Sequence, residues 1–220
     1  MISIKKLPKP QILVENADIW TREYLAEINA NTIPNKEIVT RYKHPDIKIQ
    51  LERETQGKCA YCESKIKHIS FGDIEHILPK NKDARPDLYV EWNNLTLACE
   101  QCNRSGKRTY YDENLPLINP YNDIIEEHFK EFGPLIYPMP NDERADITKE
   151  VLQLNRIDLV ERRQERIQQI NSLLKLWANT QNHILKEKLE HQLHLEYTKD
   201  KEYSSTVKAF LSAMCFPVKA

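Results

Sequence analysis

Apolar residues recur at helical spacing in the last third of the chain. Between Ile157 and Trp177 they follow one another at intervals of three, four and seven residues, which places them on one helix face. A second periodic stretch follows a break near Asn179, and a last helix is predicted over 202–214. The pattern therefore predicts a C-terminal helical region over 145–220.

The N-terminal quarter is more interrupted. Residues 1 to about 15 contain two prolines and are predicted to form an extended arm. Apolar positions then fit one helix over 18–30 and a second over 46–56, with a stop at the glycine that follows. Together these elements form a predicted N-terminal segment over 1–57.

The middle of the chain has a different character. Cysteines, β-branched residues and turn residues concentrate in 58–110. A strand or hairpin is predicted over 70–77, and the stretch 92–98 leads into the second pair of cysteines. Residues 111–144 are rich in proline and are predicted to form a connector with one helical island, over 123–132.

Composition narrows the possible functions. The 220 residues are 40% hydrophobic and 30% charged, and the formal net charge is −1. A strongly basic protein that binds nucleic acid over its whole surface is excluded, so any such site must be a local patch. No apolar run approaches the roughly 20 residues needed to span a bilayer, and no apolar core follows the N-terminal lysines. We expect no membrane contact and a cytoplasmic protein with reduced thiols.

Four of the five cysteines form two CxxC units separated by 36 residues, namely Cys59, Cys62, Cys99 and Cys102. Two such knuckles complete a tetrahedral sulfur shell that suits a structural Zn²⁺ with no open position for water. An iron–sulfur cluster and two independent redox or buried pairs remain as alternatives. Cys215 stands alone and is expected to be a small buried apolar residue.

Between and beside the knuckles lie groups that suit a second kind of metal. Glu75 and Asn103 offer oxygen ligands of the type that Mg²⁺ or Mn²⁺ prefers. His76 lies next to Glu75, and an imidazole beside such an ion can take a proton from water. The basic segment 103–108 could attract phosphate. Each feature is weak alone, and the combination carries the interpretation.

These residues occur in a characteristic order. A CxxC unit is followed by Glu75-His76-Ile77-Leu78-Pro79, and then by the run from Asn94 to Asn103 that contains the second CxxC unit. The pattern resembles the HNH endonuclease family, whose ββα-metal fold it implies over 58–110, about a quarter of the chain. The resemblance implies an α+β protein, with a zinc-stapled ββα-metal core embedded in a mainly α-helical chain.

The resemblance also implies a role for each matching residue. His76 would be the general base, and Asn94 would hold the loop and orient that imidazole. Glu75, at a position that the family usually fills with Asp, and Asn103 would ligate a catalytic Mg²⁺ or Mn²⁺. Asp73, on the same strand face as Glu75, could assist it.

Four cations, Lys80, Arg104, Lys107 and Arg108, would hold the phosphate backbone without reading bases. The implied activity is metal-dependent hydrolysis of phosphodiester bonds, with DNA as the expected substrate. Cleavage of RNA, for example tRNA, is one alternative. A zinc-stapled binding or assembly subunit without catalysis is another.

The wider arrangement of arm, core and C-terminal helices resembles the PtuB family of HNH nucleases. These belong to the Septu anti-phage system and also occur as effectors beside some retrons. The resemblance implies a partner ATPase, PtuA. The helices after residue 145 are then candidate docking surfaces, or simply a helical layer that buries the core.

Overall fold

Two small antiparallel sheets lie among eight α-helices in the computed structural model, which describes residues 1–30, 32–66 and 71–219. The helices are α1 (Gln11–Asn29), α2 (Lys36–Val39), α3 (Pro45–Thr55), α4 (Ile125–His128), α5 (Glu143–Val151), α6 (Ile157–Asn179), α7 (His183–Leu195) and α8 (Ser204–Ala213). The strands are β1 (Asp73–His76), β2 (Leu95–Ala98), β3 (Phe129–Phe132) and β4 (Leu135–Pro138). The expectation of a small sheet in a mainly helical chain is confirmed.

Helix α1 begins earlier than predicted. It starts at Gln11, directly after Pro10, so the extended arm ends about five residues sooner than the prolines suggested. Proline lacks an N–H, but the first residues of a helix have no internal acceptor for that group. The carbonyl of Pro10 accepts the first hydrogen bond of the helix, from Leu13 N at 2.9 Å. Pro10 therefore starts the helix instead of excluding it.

The helical island predicted over 123–132 is mostly wrong. A single turn, α4, is followed by a hairpin in which β3 pairs with β4. Gly133, at φ +57°, makes the turn between the two strands. Burial alternates along β3, where Phe129 is buried and Phe132 is exposed, so a strand satisfies this segment better than a helix does.

The second hairpin joins residues that are far apart in the sequence. Strand β1 pairs with β2 so that Asp73 faces Ala98 and His76 faces Leu95. All four residues of β2 are buried. The predicted strand over 70–77 is confirmed for 73–76, whereas its first residue, Ser70, lies outside the described residues.

The third element of the hairpin unit is a short helix with wide turns, Gln101–Lys107. It has π geometry, with hydrogen bonds that span five residues, as from Arg108 N to Asn103 O at 2.7 Å. Gly106 brings this helix against the end of α5. A Cβ at Gly106 would lie 2.8 Å from the carbonyl oxygen of Val151, closer than real Cβ contacts allow.

Two hydrophobic clusters hold the helices together. The larger one draws residues from α1, α3, β2, the connector and the start of α6, and Leu13, Leu51 and Leu95 are among its fully buried members. A smaller one joins α6, α7 and α8 around Leu174 and Leu211. Among the described residues, no helix is long and apolar enough to cross a membrane.

Cys215 corrects one sequence expectation. Its side chain is exposed, not buried. The backbone turns at this residue, with φ +57°, so that the neighbouring Phe216 enters the smaller cluster instead.

The close approach at Gly106 leads to a prediction. Changing Gly106 to Ala should lower the free energy of unfolding by about 1–3 kcal/mol, because the added methyl must displace the end of α5. Denaturant unfolding of the purified chain measures this change. Ser105, exposed on the same short helix, offers the control: Ser105→Ala should change the stability by less than about 0.5 kcal/mol. Equal stability of the two variants would contradict the packing argument.

Candidate active site

Four thiols converge where the two halves of the core meet. The Sγ atoms of Cys59, Cys62, Cys99 and Cys102 all lie within 4.8 Å of one another, and all four residues are buried. The first pair follows α3, whereas the second pair joins the end of β2 to the π-helix. The predicted grouping of these cysteines is confirmed, and the cluster has the donor set of a metal site closed by four sulfurs.

An arginine from the C-terminal region contacts this cluster. Arg156, immediately before α6, lies with Nη1 3.8 Å from Cys102 Sγ and Nη2 4.0 Å from Cys62 Sγ. Asp158 orients its Nε from 3.2 Å. A guanidinium beside thiolates offsets their negative charge, so Arg156 ties α6 electrostatically to the two knuckles. The sequence offered no signal for this contact.

His76 closes strand β1 with its imidazole buried. Its Nε2 lies 2.8 Å from the carbonyl oxygen of Tyr89. A carbonyl can only accept, so Nε2 carries the hydrogen and Nδ1 keeps its lone pair in the neutral ring. Burial lowers the pKa of His76 to about 3, with the positive charges of Lys80 and Lys107 acting in the same direction. The ring is therefore neutral near pH 7, in the form that accepts a proton.

Aromatic rings hold this imidazole from the N-terminal side. The Tyr42 ring meets His76 edge-on, with 4.7 Å between the ring centroids. Tyr89 stacks on Tyr24 of α1 at 3.9 Å, and it also meets Tyr42 edge-on at 5.9 Å. Neighbours on several sides thus restrict rotation of the imidazole. The sequence patterns gave no indication of this aromatic group.

Asn94 fastens the long loop between the two strands. Its Oδ1 accepts from Leu78 N at 2.8 Å, and its Nδ2 donates to Leu78 O at 2.9 Å and Leu88 O at 3.4 Å. The side chain is buried, so these bonds are shielded from water. Leu88 directly precedes Tyr89, whose carbonyl holds the imidazole. Asn94 is therefore linked to His76 through the loop backbone, and its role in orienting the imidazole stays a prediction.

Acidic and amide groups gather on the other face of β1. Asp73 and Glu75 share that face, because alternate residues of a strand point to the same side. Asn103 Nδ2 donates to Asp73 Oδ2 at 3.0 Å. Arg104 makes a bidentate contact with the same carboxylate at 2.7 and 2.9 Å. The three proposed ligands of a catalytic ion thus lie on two neighbouring elements: Asp73 and Glu75 on β1, and Asn103 on the π-helix.

Glu75 has a buried partner of opposite charge. Lys107 Nζ lies 2.6 Å from Glu75 Oε1, and both side chains are at most 6% exposed. The same ammonium donates to His76 O at 2.8 Å. Burial raises the pKa of the Glu75 carboxyl, against the opposing effect of Lys107. Lys107 thus neutralises the acidic group from inside the protein.

Comparisons with known proteins show which family this sequence resembles. Residues 59–108 match the family model described as HNH endonuclease. The chain is 32% identical to "Septu protein PtuB" of Bacillus thuringiensis over 96% of its own length and 82% of the relative. The chain belongs to the PtuB family. No solved structure matches the chain at a significant level.

Two further relatives extend the picture of the family. The chain is 29% identical to "Septu protein PtuB" of Bacillus mycoides (strain KBAB4), over 74% of the chain and 66% of that relative. It is also 28% identical to "Septu protein PtuA" of the same strain, over 60% of the chain but 22% of that relative. The similarity to PtuB thus reaches far beyond the HNH motif, into the segments on both sides.

The structure divides the four cations predicted to hold a phosphate backbone. Arg104 and Arg108 are exposed, although Arg104 is engaged with Asp73. Lys80 is half-buried against the aromatic group. Lys107 does not fit the predicted role, because it is 3% exposed and paired with Glu75. The sequence could not show that Lys107 is buried while its basic neighbours are exposed, because the direction of each side chain depends on the geometry of the short helix.

The buried pair leads to a prediction about stability. Changing Lys107 to Met leaves the Glu75 carboxylate buried without its partner, so the free energy of unfolding should fall by about 3–5 kcal/mol. The double variant Glu75→Gln/Lys107→Met removes both charges and should recover much of that loss. Denaturant unfolding of the two variants measures the difference. Equal losses in the single and the double variant would show that the charge of Glu75 does not depend on Lys107.

Proposed function

We propose that the chain is a metal-dependent endonuclease that hydrolyses phosphodiester bonds of nucleic acid, with DNA as its substrate, in anti-phage defence. The observation that carries the proposal is His76: a buried, neutral imidazole at the end of the strand whose other face carries the Asp73 and Glu75 carboxylates. Membership of the PtuB family and the HNH match support the nuclease chemistry. A binding module would need neither the imidazole nor the oxygen ligands.

The residues around Asp73 fit a hard divalent cation. Two carboxylates and one amide oxygen form the donor set that Mg²⁺ and Mn²⁺ prefer. Arg104 pairs with Asp73 and Lys107 pairs with Glu75, so a bound dication would compete with these two cations for the carboxylates. When bound, such an ion would polarise the phosphate and stabilise the charge that develops on the leaving oxygen.

The protein's own groups would handle the proton. Nδ1 of His76 would take a proton from the attacking water, while Nε2 keeps its bond to the Tyr89 carbonyl and holds the ring in place. The positive charges of Lys80 and Lys107 disfavour the imidazolium. A substrate phosphate would bring negative charge next to Lys80 and thereby raise the pKa of His76 during turnover.

We further propose that the four cysteines bind one structural Zn²⁺. Their sulfur shell is complete, so the ion would have no open position for water and no catalytic part. Its role would be to fasten the knuckle after α3 to the end of β2, and so to hold the hairpin that carries His76. Arg156 would offset part of the negative charge that four thiolates leave around the ion.

An ATPase partner, PtuA, completes the proposal. It rests on the PtuB relationship and on the relative named PtuA, part of which is similar to 60% of this chain. Because a relative named PtuA carries a segment similar to this chain, we infer that the nuclease and the ATPase work together. The helices after residue 145 are the proposed docking region, because Ile184 and Leu185 expose apolar side chains at the start of α7.

The catalytic assignment is tested by changing one side chain. His76→Ala should lower cleavage by at least about 100-fold, because the general base is lost. Plasmid DNA, phage DNA and total tRNA are each incubated with Mg²⁺, Mn²⁺ or EDTA, with and without PtuA. Lys130→Ala, exposed on β3, is the control and should cleave like the wild type. Undiminished cleavage by His76→Ala would remove the assignment, and cleavage of tRNA alone would select the RNA alternative.

The assignment of a structural zinc site predicts the metal content of the purified protein. Elemental analysis of the purified chain should find about one zinc per molecule, and Cys62→Ser should lower both this content and the thermal stability. Cys215→Ser, at the exposed cysteine, should change neither. Iron in place of zinc would favour a cluster, and absence of any tightly held metal would overturn the structural site.

A further inference from the structure

A turn from the N-terminal segment reaches the proposed active site. The short 3₁₀ turn Arg41–Lys43 lies between α2 and α3, outside the residues that match the HNH model. It brings the Tyr42 ring within 4.7 Å of the His76 ring, centroid to centroid. The side chain that follows, Lys43, is exposed to solvent. The N-terminal segment therefore forms one wall of the site.

Two ammonium groups gather over this tyrosine. Lys80 Nζ lies 5.4 Å and Lys43 Nζ 5.7 Å from the centroid of the Tyr42 ring. Burial lowers the pKa of Lys80, and the charge of Lys43 acts in the same direction, which reflects how close the two cations are. The two like charges near this ring repel each other, and an anion bound to both relieves that repulsion.

Neither ammonium has a carboxylate partner within ion-pair distance in residues 1–30, 32–66 and 71–219. The contrast with Arg41 is direct, because that guanidinium in the same turn is paired with Glu23. The catalytic side of the hairpin shows the same contrast, since Arg104 and Lys107 are paired with Asp73 and Glu75. Lys43 and Lys80 thus remain available for an external anion.

The site has two ends that carry different chemical groups. Asp73, Glu75 and Asn103 form the end that suits a cation. Lys43 and Lys80 form the other end, and both ends flank the tyrosine and the imidazole. Burial, followed by the negative charges of Asp73 and Glu75, raises the pKa of Tyr42, so its phenol keeps its proton and can donate a hydrogen bond. A nucleic-acid strand offers an anion at regular intervals to match the cationic end.

We propose that Tyr42, Lys43 and Lys80 form a phosphate subsite that holds the substrate strand next to the bond that is cut. The two ammonium groups bind a backbone phosphate beside the scissile one, and the tyrosine positions both the phosphate and the imidazole. This subsite rests on the proposed nuclease function and adds the N-terminal segment to the substrate-binding surface. It reads no bases, because its contacts are to charge alone.

Binding experiments with an inactive protein test the subsite. In a His76→Ala background, binding of fluorescent single-stranded and duplex DNA is measured at several salt concentrations. Each phosphate contact adds about 0.7 to the log–log salt slope for a single strand and about 0.9 for a duplex. Lys43→Gln and Lys80→Gln should each weaken binding several-fold and reduce the slope by about that amount. Lys130→Gln, exposed on β3, is the matched control and should leave affinity and slope unchanged.

The outcomes separate the subsite from the nuclease proposal. Thermal melting first confirms that each variant is folded. If the protein binds DNA and the wild type cleaves it, an affinity and a slope for Lys43→Gln and Lys80→Gln equal to those of the Lys130→Gln control would overturn the subsite but keep the nuclease proposal. If the inactive protein binds too weakly to measure while the wild type cleaves, Lys43→Gln and Lys80→Gln are each made in the active protein and compared with it by KM. An unchanged KM then overturns the subsite. A wild type that neither binds nor cleaves, with PtuA present, would overturn both.

Discussion

A ladder of two strands with four residues each is too short to be stable by itself, so the site depends on what fastens this hairpin from outside. The cysteine cluster joins the end of β2 to the knuckle after α3, and Ala60 N donates to Leu97 O at 2.9 Å across the same junction. The larger hydrophobic cluster buries the inner face of β2 against helices from both termini. The positions of the candidate site residues therefore depend on these two attachments.

The second constraint is the cost of burying charge. Glu75 and Lys107 are tolerated inside the protein because each neutralises the other, and the same lysine also satisfies the carbonyl of His76. The imidazole is kept neutral by burial and is held by the Tyr89 carbonyl, to which Asn94 is linked through the loop. Neighbouring backbone and buried charges thus decide the protonation state of the site, whereas the motif supplies only the residue types.

The segments outside the motif are part of this machinery. Tyr42 packs on the imidazole from the N-terminal side, and Arg156 contacts two thiols from the C-terminal side. The similarity to PtuB spans 96% of the chain and so includes the segments that carry both residues. A fragment limited to 58–110 would lose both contacts and the helices that bury β2.

Sequence by itself determined the residue types and their order: the two CxxC units, the Glu75-His76 pair, the later asparagines and the helical periodicity after residue 145. These signals are local, because spacing along the chain reflects knuckles, strands and helix faces. Only the tertiary structure decided that Lys107 turns inward, that Pro10 starts a helix and that Tyr42 and Arg156 join the site. Such contacts depend on how distant segments pack together. The periodicity or spacing within one segment does not predict which other segments it will contact.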